Sequence, residues 1–240
     1  MPSGANTDPI PGWLLDEVGS AGRENLDAAH VARYDDKEDA DAEEEVQLCE
    51  ALGLHSSSTV VEFGSGTGQF TIAVSSRCAR VVAVDVSEVM HRRLSTKLRS
   101  THIDNVEPVR AGFLTYQHLD EPVDLVYSRY ALHHLPDFWK ALAFDRIHAI
   151  LRPGGVFRLW DVAFNFQPSE AAHRLEDWCS TGGSNKDRDW SRAELEEHVR
   201  DEHSTFTWII EPMAVRCGFT IESADYSADG IVAKYVLRRS

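Results

Sequence analysis

Basic side chains are scarce in this sequence: 24 Lys and Arg stand against 39 Asp and Glu, a formal net charge of −15 over 240 residues. Sequence-independent nucleic-acid binding runs on Lys and Arg neutralising phosphates, so this balance argues against it and leaves only a local basic patch as a route. Cysteine is sparse too. Cys49, Cys78, Cys179 and Cys217 are widely scattered, with no two at a metal-ligand spacing, and the count is low for a disulfide scaffold. Free thiols in a reducing compartment, and no metal site, are expected. No apolar run is long enough to span a bilayer and no secretory leader is recognisable. The expectation is a cytoplasmic chain without a membrane partner, long enough for one sizeable α/β domain with an elaboration.

What is present is a strand that empties into glycines. Thr59-Val60-Val61-Glu62-Phe63 is followed by Gly64-Ser65-Gly66-Thr67-Gly68, three glycines at alternate positions, and then by a helix-compatible segment. Glycine reaches backbone angles closed to other residues and removes the side chain that would block a ligand. Such a turn before a helix N-terminus makes a cradle at the carboxyl edge of a sheet. A second β-branched run, Arg80 to Asp85, reads as a buried parallel strand. It ends on Asp85, about twenty residues past the first glycine, the offset of a carboxylate that accepts from ribose hydroxyls. Turn and carboxylate together predict a nucleoside-containing ligand. A dinucleotide site spaces its glycines Gly-x-Gly-x-x-Gly; here the third glycine comes one residue early, and Gln69 stands where it would be.

The segment Glu62 to Gly68 resembles the first motif of the class I S-adenosylmethionine-dependent methyltransferases, and Val84-Asp85-Val86-Ser87-Glu88-Val89-Met90 resembles their second. The resemblance implies S-adenosylmethionine as cofactor and S-adenosylhomocysteine as product. It implies that Glu62, Gly64, Ser65 and Gly66 receive the methionine end and that Asp85, with Val86 and Met90 beside it, holds the ribose. In that family an acidic residue that binds the adenine amino group often stands where this chain has Gly112. That leaves the backbone at Gly112 and Phe113 to read the adenine edge, with Phe113 either on the ring or in the core. Ser128 to Asp137 resembles the fourth motif, which lines the methyl-donor end, so Ser128 and Arg129 are candidate contacts; Arg129 alternatively forms a surface ion pair. An N-terminal helix often closes over the cofactor, and Tyr34 in Ala29 to Asp35 is the candidate for a ring near the sulfonium, or a packing residue.

Along the chain, strands are expected at 59–63, 81–85, 105–110, 122–128 and 156–161. Helices between them predict a Rossmann-like, doubly wound sheet, mostly parallel. Pro108 marks an edge strand. Arg152-Pro153-Gly154-Gly155 reads as a helix stop. Two alternating runs, Phe219 to Tyr226 and Ile231 to Leu237, joined through Gly230, predict an antiparallel C-terminal hairpin that brings the sheet to seven strands. The resulting division is an N-terminal tail with lid helices (1–40), an α/β core (41–161), a helical cap on the substrate side (162–205), and a last helix with the hairpin (206–240). The cap is too long for a simple connection and carries four aromatic residues; it alternatively serves as a dimer interface or a structural pad.

Methyl transfer from a sulfonium is an in-line displacement that needs alignment and exclusion of water more than a universal catalytic group. A hydroxyl or amine acceptor would use a general base. The candidates are His133, His134, Asp161 and His203, with His133 first because it lies nearest the methyl end. Being adjacent, His133 and His134 point different ways, so at most one faces the pocket. A small-molecule acceptor fits the acidic charge. A nicotinamide-dependent oxidoreductase and a non-catalytic cofactor-binding module stay open.

Overall fold

The computed structural model describes residues 11–27, 31, 42–183 and 190–240. Two short helices, α1 (Glu17–Ser20) and α2 (Arg23–Leu26), precede α3 (Ala42–Ala51). The core then alternates: β1 (Thr59–Phe63), α4 (Gln69–Ser75), β2 (Arg80–Asp85), α5 (Glu88–Thr101), β3 (Val106–Arg110), β4 (Val123–Arg129), α6 (Asp137–Ile150) and β5 (Leu151–Phe164). The cap holds α7 (Ala171–Ser180) and α8 (Arg192–Asp201). A two-residue strand β6 (Thr205–Phe206), α9 (Thr207–Arg216), β7 (Phe219–Tyr226) and β8 (Val232–Arg239) finish the chain.

Local chemistry accounts for several boundaries. Ser87 caps α5 by accepting from Met90 N, and Met90, Leu94 and Leu98 form its buried stripe. Ser191 and Glu194 form the capping box expected at the start of α8. The order across the main sheet is β3-β2-β1-β4-β5-β8-β7. The first five of these strands run parallel, while β8 pairs antiparallel with both β5 and β7. The chain order reverses between β1 and β4, which makes the carboxyl ends of those strands the switch point where open α/β sheets bind ligands. Alternate residues of β1 serve opposite layers. Val61 and Phe63 join Phe144, Ile147 and Phe157 in one core, whereas Val60 joins Phe70, Val74 and Tyr127 in the other.

Strand β5 departs from expectation at both ends. The Pro-Gly-Gly segment does end α6, but it lies within β5, where the pairing with β4 shifts register between Val123 and Leu125. Gly154, at φ +73°, takes the positive angle that this irregularity needs. At its other end β5 runs on to Phe164, where β6 pairs with it in parallel. The segment that holds α7 and α8 therefore leaves from the carboxyl end of β5 and returns to it. Arg158 of β5 is buried and forms a bidentate pair with Glu45 of α3, 2.8 Å on each arm. Among the described residues, no helix is long and apolar enough to cross a membrane.

Candidate active site

The glycine turn bends at the switch point with Gly64, Gly66 and Gly68 at φ +71°, +51° and +89°. A Cβ on Gly64 would lie 2.3 Å from that of Ala131, so the turn also packs too closely on the segment after β4 for a side chain. The amides of Gly64 and Ser65 donate to Val84 O at 2.9 and 3.1 Å, and Gly66 N donates to Asp85 Oδ2 at 2.8 Å. Ser87 N donates to the other oxygen, Oδ1, at 2.7 Å. Asp85 thus braces the turn with one bond per oxygen and keeps lone pairs on both. Burial raises its pKa, opposed by those two amides.

Two clefts flank the turn. The larger, of ≈ 620 Å³, is walled by Gly64, Gly66, Asp85, Val86, Met90, Gly112, Phe113 and Arg129 among the expected residues, and by Glu17, Asn25, Tyr130 and His134 besides. The smaller, of ≈ 410 Å³, is walled by Glu62 and Ser65 together with Gly64, Gly66, Tyr127, Arg129 and Tyr130. Ser65 Oγ is buried and has no hydrogen-bond partner among the described residues. Ser128 is buried behind the wall and lines neither cleft. Tyr34 lies outside the described residues. Glu62 is fully enclosed and accepts from the Thr71 hydroxyl; burial pushes its carboxyl up to about 8, against the Thr71 bond and with a further push from Asp85.

Glu17 was invisible to the sequence reading. Its carboxylate accepts from Leu114 N and Thr115 Oγ1, both at 3.0 Å, and reaches into the space beside Gly112. A Cβ on Gly112 would lie 2.3 Å from Glu17 Oε1. An acid from α1 therefore occupies the neighbourhood that an acidic side chain at position 112 would fill. Burial raises the pKa of Glu17 against those hydrogen bonds. Only its place at the start of a short acidic turn marked it, and that signal is generic.

Beyond β4, Tyr130 sits at φ +48°, a strained angle for a non-glycine residue, and borders both clefts. Its hydroxyl accepts from Trp160 Nε1 at 3.1 Å. Arg129 stacks on the Trp160 ring at 4.2 Å from its centroid, and Lys234 stands at 3.3 Å from the same centroid. Arg129 is thus held against aromatic faces.

The two neighbouring histidines separate, as adjacency requires. His134 lines the larger cleft, with Nε2 3.4 Å from Asn25 Nδ2 and Nδ1 buried without a partner. His133, ranked first from the sequence, turns away from both clefts into a closed cluster. Its Nδ1 meets Asp161 Oδ1 at 2.5 Å and its Nε2 meets Glu202 Oε2 at 3.1 Å. Asp161 also accepts from the amides of Leu132, His133 and Val162. Burial alone would depress the His133 pKa, but Asp161 and Glu202 reverse the sign and push it up to about 10. Burial and then the neighbouring His133 charge depress His134 to about 3. Asp161 and Glu202 fall below the usual carboxylate range, because imidazoles outweigh their burial. The His203 side chain is exposed and lines neither cleft; its backbone instead donates to His133 O at 2.9 Å and accepts from the buried Lys140 ammonium. Of the four candidates for a base, only His134 lines either of these two clefts; Asp161 is an anchor beneath it.

Comparison with known proteins agrees with this geometry. The family described as methyltransferase domain matches residues 60–155. An uncharacterized methyltransferase of Geobacillus kaustophilus is 35% identical over 107 residues, 44% of this chain and 47% of the relative. Another from Geobacillus thermodenitrificans is 27% identical over 171 residues, 70% of this chain and 72% of the relative. The match spans about half the length of several such relatives. Among solved structures, the N-methyltransferase NodS of Bradyrhizobium japonicum, in complex with S-adenosylhomocysteine, aligns with a TM-score of 0.62 at 18% identity, covering 93% of this chain and 98% of that one. Residues 60–155 thus match a methyltransferase domain, and the chain shares its fold with these solved structures. The lining would fit S-adenosylmethionine: paired lone pairs on Asp85 suit vicinal hydroxyls, and the acidic walls suit a cation.

Proposed function

We propose that this chain transfers the methyl group of S-adenosylmethionine to a small molecule held between the cleft and the cap. The observation that carries the reading is the Gly64–Gly68 turn braced by Asp85 at the switch point, open to the cleft that Glu17, Gly112 and Phe113 also line. When bound, the cofactor supplies an electrophilic methyl group on a sulfonium. Asp85 accepts the ribose hydroxyls. Glu17 accepts the adenine amino group beside Gly112, and the Phe113 ring flanks the base. Glu62 and Ser65 face the methionine end. Tyr130, fixed by Trp160, and Arg129 border the space where donor and acceptor align. Alignment and exclusion of water supply most of the acceleration. A small acceptor is supported by the net charge of −15 and by a cap clasped to the sheet at both ends. The fold does not choose the acceptor atom.

Calorimetry tests the reading. S-adenosylhomocysteine should bind and NAD(P)H should not; the reverse pattern overturns it. Asp85→Ala should weaken S-adenosylhomocysteine by about 1.5–3 kcal/mol, the value of hydrogen bonds to a charged acceptor; unchanged affinity removes the ribose assignment. Of the four candidates His134 alone lines the larger cleft, but burial and the His133 charge hold it at about 3, too weak a base to take a proton at neutral pH, so it is read as a wall of the site. His134→Gln should then leave kcat within a few-fold of wild type while cofactor affinity holds. A loss on the order of 100-fold would restore it as the base.

A further inference from the structure

The cluster behind His134 is not used by the proposed reaction. His198 and Glu202 are four residues apart at the end of α8, so they share a helical face, and His133 meets them from the turn after β4. The nearest nitrogen or oxygen donors of His133, His198 and Glu202 all lie within 4.8 Å of one another. Each imidazole spends its other nitrogen on a fixed partner. His133 Nδ1 faces Asp161 at 2.5 Å, and His198 Nε2 faces Ser204 Oγ at 2.8 Å. What remains is one nitrogen per ring, both turned toward Glu202 Oε2 and able to ligate once deprotonated. That oxygen is itself buried. Two imidazoles and a carboxylate converging at one buried point need a positive centre between them, a proton or a metal ion.

We propose that His133, His198 and Glu202 bind a first-row divalent metal ion, zinc foremost, at the junction of core and cap. Two imidazoles and a carboxylate are a common three-ligand set for zinc and leave a fourth position open. Tetrahedral coordination at 2.0–2.1 Å sets donors roughly 3.3 Å apart. The His133–Glu202 separation of 3.1 Å already approaches that, and the His198–Glu202 contact opens by a small side-chain movement. Asp161 and Ser204 then act as the outer partners that orient ligating histidines. The His134 ring packs 4.3 Å, centroid to centroid, from that of His133 and lines the cleft, so the ion sits one ring away from it. Bound there, the ion staples α8 to the core. The cysteine spacings that predicted no metal read a different ligand type.

The inference does not depend on the methyl-transfer reading, and its test uses no turnover. Full-length protein is stripped with chelator and titrated with cobalt(II). One equivalent should bind with the visible bands of a tetrahedral N/O site, zinc should displace it, and zinc should raise Tm. Glu202→Gln and His198→Ala should each abolish the stoichiometric band. Ser204→Ala, outside the ligand set, should weaken affinity about 10–100-fold. The proposal is overturned if wild-type protein shows no saturable binding, which would mean that protons alone bridge the cluster. It is equally overturned if both ligand variants, folded by circular dichroism, bind cobalt as wild type does.

Discussion

Beside Gly112 the acidic group comes from Glu17 of α1, not from the segment that follows β3. The strand that delivers Gly112 has no room for a longer side chain there, because Glu17 Oε1 would stand 2.3 Å from the new Cβ. Gly112→Asp alone should therefore displace Glu17, strand the amide of Leu114 and weaken S-adenosylhomocysteine binding about 10-fold or more, the cost of a buried donor left unpaired. Adding Glu17→Ala should recover much of the loss, since the acid then sits on the core strand end. Isothermal titration of the two single variants and the double variant gives the coupling directly. Additive effects would mean that the two positions do not share one job. The pair also explains why the sequence could identify Gly112 but not its partner. A motif records local spacing, whereas Glu17 reaches its place through a hydrogen bond to Leu114, 97 positions away.

Between elements, the chain is tied by buried charge as well as by apolar packing. Arg158 on β5 and Glu45 on α3 are both enclosed, and their bidentate contact is the charged link between the central sheet and the helix that precedes β1. Removing one partner leaves the other charge buried and unpaired, so Glu45→Ala should cost about 3–5 kcal/mol of stability in urea unfolding. Replacing both by methionine should cost much less; an equal loss would show that packing, not charge, dominates the contact. By composition the acidic stretch from Asp35 to Glu45 reads as a solvated face with a helix start, yet α3 turns Glu45 inward. The strands, by contrast, were legible. β1 and β2 are continuous β-branched runs because both faces of a parallel sheet are covered. The hairpin announced itself through alternation around Gly230. The run of β5 from Leu151 to Phe164 was not legible: Pro-Gly-Gly signals an end to a helix and equally a bulge in a strand, and only pairing with β4 decides.

Across the molecule, the cleft gathers carboxyls whose pKa burial raises: Glu17, Glu62 and Asp85 all titrate above their ordinary values. Local motifs located Glu62 and Asp85, but no local pattern carries the desolvation that sets their charge. Glu62 gives the clearest consequence. Around it stand the Thr71 hydroxyl from α4, Asp85 from β2 and the Tyr127 ring from β4, none of them cationic. Its folded pKa of about 8 exceeds the ordinary carboxyl value of 4.5, so between those limits the folded state holds a proton that the unfolded state has lost. Stability from this group is therefore fully present below about 4.5 and is lost as pH rises through 8. Glu62→Gln keeps the shape and removes the titration. The stability of wild type relative to this variant should fall steadily from pH 5 to 8 and level off above, while contributions from every other group cancel in the difference. Urea melts of the two proteins at matched pH values check it, and a flat difference would mean that Glu62 is ionised throughout. A cationic ligand beside Glu62 favours the charged form, so S-adenosylmethionine should bind more tightly as pH rises toward 8 and release a proton below it. Calorimetry in buffers of different ionisation enthalpy reads that proton, and its absence from Glu62→Gln assigns it to this carboxyl.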